Sequence, residues 1–133
     1  MQNKIVVRYV NGETHKGFTA DFMPNKDIFH LTPQDTAPGS PQLTINTRDC
    51  KAIFFVKDFA GNKEYNDRKD FDPAKTVGGR KLRVVFKDGE TLIGTTQGYQ
   101  PNRPGFFLFP ADPNSNMDRT YIIAAATKEV AFI

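Results

Sequence analysis

Apolar and polar residues alternate in short runs along most of this chain, and each run is closed by Gly, Pro, Asn or Asp. Between residues 4 and 10, Ile5, Val7 and Tyr9 alternate with Val6, Arg8 and Val10. Asn11-Gly12 interrupts the pattern, and a second run extends over 13–22 across Gly17. A period of two is that of a pleated strand, whose successive side chains leave opposite faces. The Asn-Gly pair predicts a two-residue type I′ hairpin turn, which sets Val10 opposite Glu13, Tyr9 opposite Thr14, Val7 opposite Lys16 and Ile5 opposite Phe18. Gly17 predicts a bend through which one long strand serves two sheets. Pro24-Asn25 supplies the fixed φ and the tolerant residue of a β-turn. A third strand follows over 28–32 and stops at Pro33, and 34–42 is a Pro- and Gly-containing loop. A fourth strand spans 43–46, and a turn over 47–50 leads to a fifth at 51–56.

Displaced by 77 residues, the same series recurs without a gap. Gly12, Gly17, Pro24, Asn25, Phe29, Leu31, Lys51 and Phe55 meet Gly89, Gly94, Pro101, Asn102, Phe106, Leu108, Lys128 and Phe132. Backbone-determining residues and core residues that fall in one frame predict a shared fold and not only a shared composition. The expected fold class is all-β: two tandem five-stranded small β-barrels, repeat 1 over 1–56 and repeat 2 over 81–133, joined by a charged linker over 57–80. Phe59, Tyr65 and Phe71 in the linker predict that it packs against a barrel, with a short helical turn at 63–68.

Positions apolar in both copies form the expected cores: Ile5/Leu82, Val7/Val84, Tyr9/Phe86, Phe22/Tyr99, Phe29/Phe106, Leu31/Leu108, Ile45/Ile122, Ile53/Val130 and Phe55/Phe132. Other apolar residues are private to one copy. Phe107 and Phe109 stand where repeat 1 has His30 and Thr32, Tyr121 and Ile123 where it has Thr44 and Asn46, and Phe54 where repeat 2 has Ala131. Strands apolar on both faces are covered on both or present a contact patch. This predicts packing between the repeats, with the remainder free for a partner. The last run, 129–133, predicts an edge strand that either pairs with the other repeat or accepts a strand from another chain. The chain is then a monomer with pseudo-two-fold repeats or a homodimer through strand edges.

Composition narrows the function classes. The chain has 133 residues, 38% hydrophobic and 25% charged, with no apolar run near the ~20 residues of a membrane span and no signal-peptide core at its start. A soluble cytoplasmic protein is expected. The net charge of +3 and pI near 9.0 suggest nucleic acid. The excess is spread evenly, however, with six Lys/Arg against five Asp/Glu in each of 1–56, 57–80 and 81–133. Phosphate binding requires a cation placed at each neutralised charge, and no basic stripe is present.

Catalytic motifs are missing. Cys50 is the single cysteine, so no internal disulfide forms, and its place before an apolar strand predicts a buried, unreactive thiol. His15, His30 and Cys50 lack metal-ligand spacing, so no metal is expected. There is no Gly-x-Ser-x-Gly elbow and no GxxxxGK[ST] phosphate loop, and Asp21, Asp35 and Asp112 read as surface carboxylates. The expectation is a protein that is not an enzyme and carries no cofactor.

The strongest candidate site is the loop system of repeat 2, over 99–105 and 111–119, with the adjoining Phe strand. Its residues are Tyr99, Asn102, Arg103, Phe107, Phe109, Asn114, Asn116 and Arg119, a mixture of stiff turns, amides, arginines and aromatics suited to recognition. Five short strands, a tight first hairpin, a Gly-bent second strand and a short turn before the fifth resemble the Sm-like and Src-homology-3-like small barrels. Gly17, Asp21, Phe22, Met23 and Asn25 are similar to the first Sm signature, and Arg48 after Ile45 echoes the second, which implies a uridine pocket bordered by Asp21, Asn25 and Arg48. The segments KAIFFVKDFAGN and GRKLRVVFKDGETLIGTTQGYQPNRPGFFLFPADPNSN resemble an uncharacterised bacterial domain family, found alone or attached to signalling proteins. The function expected from all of this is a non-catalytic protein-interaction or regulatory module. An Sm-like RNA binder and a sensor of a small ligand or nucleotide between the barrels are the alternatives.

Overall fold

The computed structural model describes residues 3–34, 41–59, 79–99, 103–111 and 115–133. Ten strands follow one another: β1 (Asn3–Tyr9), β2 (Thr14–Thr19), β3 (Ile28–Pro33), β4 (Leu43–Asn46), β5 (Cys50–Val56), β6 (Arg80–Phe86), β7 (Thr91–Thr96), β8 (Gly105–Pro110), β9 (Met117–Ile123) and β10 (Thr127–Phe132). The other regular elements among the described residues are two 3₁₀ turns, Thr47–Asp49 and Ala124–Ala126. The all-β class matches the alternating pattern. The architecture differs from two separate closed barrels, because all ten strands form one antiparallel sheet in the order β10-β6-β7-β8-β9-β5-β1-β2-β3-β4, and that sheet is not closed.

Within each half the order is the same, β5-β1-β2-β3-β4 and β10-β6-β7-β8-β9. Individual backbone hydrogen bonds also recur 77 residues apart. Val10 N–H donates to Asp49 O as Lys87 N–H does to Ala126 O, and Gln34 N–H donates to Lys16 O as Ala111 N–H does to Ile93 O. The halves join where β5 pairs with β9, through Ala52↔Ile122, Ile53↔Tyr121, Phe54↔Thr120 and Phe55↔Arg119.

The first hairpin corrects the expected register by one residue. Ile5 faces Gly17, Val7 faces His15 and Arg8 faces Thr14. Three residues, Val10, Asn11 and Gly12, make the loop. Gly12 N–H donates to Tyr9 O and Tyr9 N–H to Glu13 O, and Gly12 alone takes a left-handed φ of 95°. This is a type I turn followed by a left-handed glycine. Asn11 keeps a negative φ, and its Oδ1 accepts from Glu13 N–H at 2.9 Å. Asp88 does the same for Glu90 N–H at 3.0 Å, before Gly89 at φ 94°.

The expected long second strand is also corrected. β2 ends at Thr19 and meets β3 only through Gly17↔Pro33 and Phe18↔Thr32. Gly17 is there for close approach: a Cβ would collide with the Thr32 carbonyl, as one at Gly94 would with that of Phe109.

Two cores fill the sheet. Ile5, Val7, Phe29, Leu31, Ile45 and Ile53 lead the first, which also takes Tyr121 and Ile123 from β9. Leu82, Val84, Phe86, Phe106, Leu108 and Ile122 lead the second, which takes Ala52 from β5. β9 thus sends alternate residues into opposite cores, so it is apolar on both faces. Most of the expected core pairs are buried; Tyr9, Phe22, Tyr99 and Val130 are partly buried against the cores, and Phe132 is 43% exposed against 4% for Phe55. Of the linker aromatics, Phe59 stacks edge-to-face on Phe18 at 5.2 Å; Tyr65, Phe71 and the turn at 63–68 lie outside the described residues.

Candidate functional site

The residues expected to form one recognition surface are distributed by the sheet among several tasks. Asn102 and Asn114 lie outside the described residues. Tyr99 packs on the second core, edge-to-face with Phe106 at 4.8 Å and Phe132 at 5.8 Å. Asn116 is a clamp on the chain leaving β5: its Nδ2 donates to Asp58 O at 2.8 Å and its Oδ1 accepts from Asp58 N–H at 3.0 Å. Arg119 falls in a strand and not in a loop, because β9 gains a second partner and extends to Met117. Its guanidinium lies over the rings of Phe55 and Phe107, at 4.5 and 4.6 Å.

Phe107 belongs to the junction of the halves. It packs against Tyr121 at 5.1 Å, Phe55 at 6.1 Å and Phe22 at 6.3 Å, in tilted and edge-to-face contacts. Phe22 brings the loop after β2 into this cluster, with Phe29 and Tyr121 at 5.2 and 5.3 Å. Tyr121 fixes the far side by donating its hydroxyl to Pro24 O at 3.3 Å. Burial raises the Tyr121 phenol above its ordinary pKa; Arg103 opposes that shift and Asp27 adds to it.

Beside this cluster lies a groove. Arg103, Phe107 and the exposed Phe109 line a cavity of about 400 Å³ together with Pro24 and Tyr121. A second cavity of about 610 Å³ shares Pro24, Arg103 and Tyr121 and adds Asp27, Arg48 and Ile123. A third, of about 330 Å³, shares Arg48 and Ala125 with the second and reaches Cys50, Lys51 and Phe86. The two shared boundaries join the three cavities into one groove along the junction, with an apolar floor and charged residues at its rim. Sequence reasoning found Arg103, Phe107 and Phe109 but missed Pro24, Asp27 and Tyr121 as lining. Tyr121 carried a signal, being apolar where the other half has Thr44; Pro24 read only as a turn.

Arg48 and Lys51 at the rim are paired. Arg48 Nη2 bonds Asp27 Oδ2 at 2.9 Å. Lys51, whose side chain is 9% exposed, reaches Asp88 Oδ2 at 2.7 Å and Glu90 Oε1 at 2.6 Å, with its ammonium 4.6 Å from the Phe86 ring centroid. These contacts tie β5 to the hairpin of the other half. Lys51 and the Glu90 N–H hold the Asp88 carboxyl below its usual range. Asp21 is engaged elsewhere. Desolvation pushes its pKa up, but hydrogen bonds from His30 N–H, the His30 ring and the Thr19 hydroxyl outweigh that and lower it. His30 Nδ1 lies 2.6 Å from its Oδ2.

The Cys50 thiol is buried and pushed up to about 12 by desolvation, with the Asp49 charge adding to the effect. Among the described residues no three His, Cys, Asp or Glu come together as metal ligands, and no helix is long and apolar enough to cross a membrane. A family model described as a family of unknown function (DUF6982) matches residues 1–133. No curated protein and no solved structure matches the chain.

Proposed function

Starting from a chain that belongs to the family of unknown function DUF6982 over its whole length, we propose that it is a non-catalytic interaction module, an adaptor or regulatory domain of the bacterial cytoplasm. It takes an extended protein segment into the junction groove. The halves are two copies of an Sm-like or Src-homology-3-like small-barrel unit, a reading supported by their identical strand orders and recurring hydrogen bonds.

The observation that carries the proposal is the groove itself. An aromatic floor of Phe107, Phe109 and Tyr121 with Arg103 at the rim suits a peptide bearing an apolar side chain next to an acidic one. The unreactive Cys50 and the committed carboxylates favour binding over catalysis. Asp21 and Arg48, which an Sm-type uridine pocket would need, are occupied by His30 and Asp27, and this favours protein over RNA.

The test is selection from a displayed library of unstructured peptides, comparing the wild type with Phe109→Ser plus Arg103→Glu. Both positions are exposed, so the fold survives the change. Enriched peptides should carry an aromatic or aliphatic residue beside Asp or Glu and should lose about tenfold or more in affinity for the variant, equivalent to about 1.4 kcal/mol. Retention of single-stranded RNA at about 50 mM salt, with no peptide that distinguishes the two proteins, would replace this reading with the nucleic-acid one.

A further inference from the structure

The joint between the halves has an unused counterpart at each end of the sheet. β5 of the first half pairs with β9 of the second. Displaced by 77 residues, β5 becomes β10 and β9 becomes β4, and these are the two edges of the ten-stranded sheet. The join inside the chain therefore uses one half's fifth strand and the other half's fourth, and among the described residues leaves one strand of each kind at an edge. We propose that β10 of one copy pairs with β4 of another, so that copies of this chain associate head to tail through a repetition of the internal joint. The inference rests on the sheet order and is independent of the groove.

The register follows from the internal pairs. Ile53↔Tyr121 becomes Val130 against Thr44 of the second copy, Phe54↔Thr120 becomes Ala131 against Leu43, and Phe55↔Arg119 becomes Phe132 against Gln42. The large-small pair of Phe54 and Thr120 becomes a small-large pair, Ala131 and Leu43, of smaller total volume. Backbone direction agrees. Ile133 N–H donates to Lys81 O, so by antiparallel alternation Val130 and Phe132 turn their N–H and C=O outward. Ile53, the counterpart of Val130, turns its carbonyl to β9, where it accepts from the Thr120 hydroxyl at 3.1 Å. Even Pro41 fits: it corresponds to Asp118, the residue that β9 skips in its pairing with β5, where no N–H is required.

Two further observations point to a covered edge. Leu43, Phe132 and Ile133, exposed by 37%, 43% and 55%, are among the large apolar residues left on the surface, and all three lie on or beside these two strands. The ion pair of the internal joint is retained as well. Lys51 on β5 meets Glu90 in the partner half's hairpin at 2.6 Å. Their counterparts, Lys128 and Glu13, are identical in type and exposed, and head-to-tail pairing brings them together across the two copies. Other parts of the joint are weaker in this repetition. His30 and Thr44 replace Phe107 and Tyr121, so the contact between copies is more polar than the internal one and reversible.

An interface between unlike edges gives each copy one donor strand and one acceptor strand, so growth stops only when a ring closes. That asymmetry supplies the test. Val130→Pro removes an outward N–H on β10 and leaves β4 intact; Thr44→Pro does the same on β4 and leaves β10 intact. Sedimentation velocity of the whole chain should show mass rising with concentration, whereas each variant alone, verified as folded by circular dichroism, stays monomeric. Mixing the two variants in equal amounts should give dimers and nothing larger, because one joint forms and both remaining edges are blocked. A wild type that stays monomeric to its solubility limit overturns the proposal, as does a single-edge variant that still self-associates or a mixture that does not dimerise. Should either proline variant fail to fold, the exposed charge pair decides instead. Lys128→Glu and Glu13→Lys should each weaken association by about tenfold and together restore it; independent, additive effects overturn the pairing.

Discussion

Phe55 and Phe132 are the same residue 77 positions apart, near the end of the corresponding strand, yet one is 4% exposed and the other 43%. Each half packs an aromatic ring on its own copy. Phe22 sits edge-to-face on Phe55 at 5.6 Å, and Tyr99 sits so on Phe132 at 5.8 Å. The difference is the next strand. β9 lies alongside β5 and brings its Arg119, and Phe107 of the adjoining β8, onto Phe55, whereas β10 is an edge. Lys51 and Lys128 diverge for the same reason, the first nearly buried between Asp88, Glu90 and the Phe86 ring, the second exposed. Burial of a residue in these halves is set less by its local pattern than by whether its strand has two neighbours or one.

The largest contrast should come from truncating the two phenylalanines. Phe55→Ala is expected to cost about 3–5 kcal/mol, the range for a buried aromatic. Phe132→Ala, measured in dilute monomer, should cost about 1 kcal/mol. Urea unfolding of both variants checks this, and equal losses would end the claim that the neighbouring strand makes the difference. Gly17→Ala and Gly94→Ala sharpen it from the other side. Each new Cβ meets a backbone carbonyl of the next strand within the same half, so both should lose about 1–3 kcal/mol and by similar amounts. A smaller asymmetry belongs to the lysines. Lys51→Met, which keeps the stem over Phe86 and removes the charge, should cost about 1–2 kcal/mol against about 0.5 or less for Lys128→Met, read as a shift in denaturation midpoint.

The smallest effect is in acid. The folded state lowers the Asp88 pKa through its hydrogen bonds with Lys51 and Glu90 N–H. Its contribution to stability is present above the ordinary carboxylate range and is lost as pH falls through the depressed folded value. The first half has Asn11 at this place and no such titration. Asp88→Asn should therefore flatten part of the decline in stability between neutral pH and about pH 3, with little change in the shape of the curve near pH 7. An unchanged acid limb would show that the Lys51 contact is not felt in folding.

Much of the fold was legible because turn residues and core residues repeat in one frame. β4 fell where its alternation placed it, at Leu43–Asn46, and β3 and β5 within a residue. The first hairpin register was missed by one residue because Asn-Gly fits two loops. A two-residue loop needs a left-handed Asn11; the observed three-residue loop needs only a left-handed Gly12, and Asn11 Oδ1 stays free to cap Glu13 N–H. The length of β9 was missed because its extra residues gain their pairing from β5, more than sixty positions earlier. Arg119 and Asn116 consequently looked like loop ligands when they are a strand residue stacked on aromatics and a clamp on residues 57–58. Phe107 and Phe109 were found by asking which apolar residues only one half possesses, and Arg103 by its place in the adjoining loop over 99–105; the groove does bring them together.

What the sequence determined by itself is local and periodic. Strand period, glycine positions where a Cβ or a negative φ is excluded, and the inward face of each half all follow from side-chain chemistry within a few residues or from comparison across the offset of 77. Only the tertiary structure decided which edges meet. Backbone hydrogen bonding along a strand edge is nearly independent of side-chain identity, so sequence could not say that β5 would join β9 and leave β4 and β10 open. That one choice converts two equal halves into a covered strand and an edge strand, and it places the groove between them.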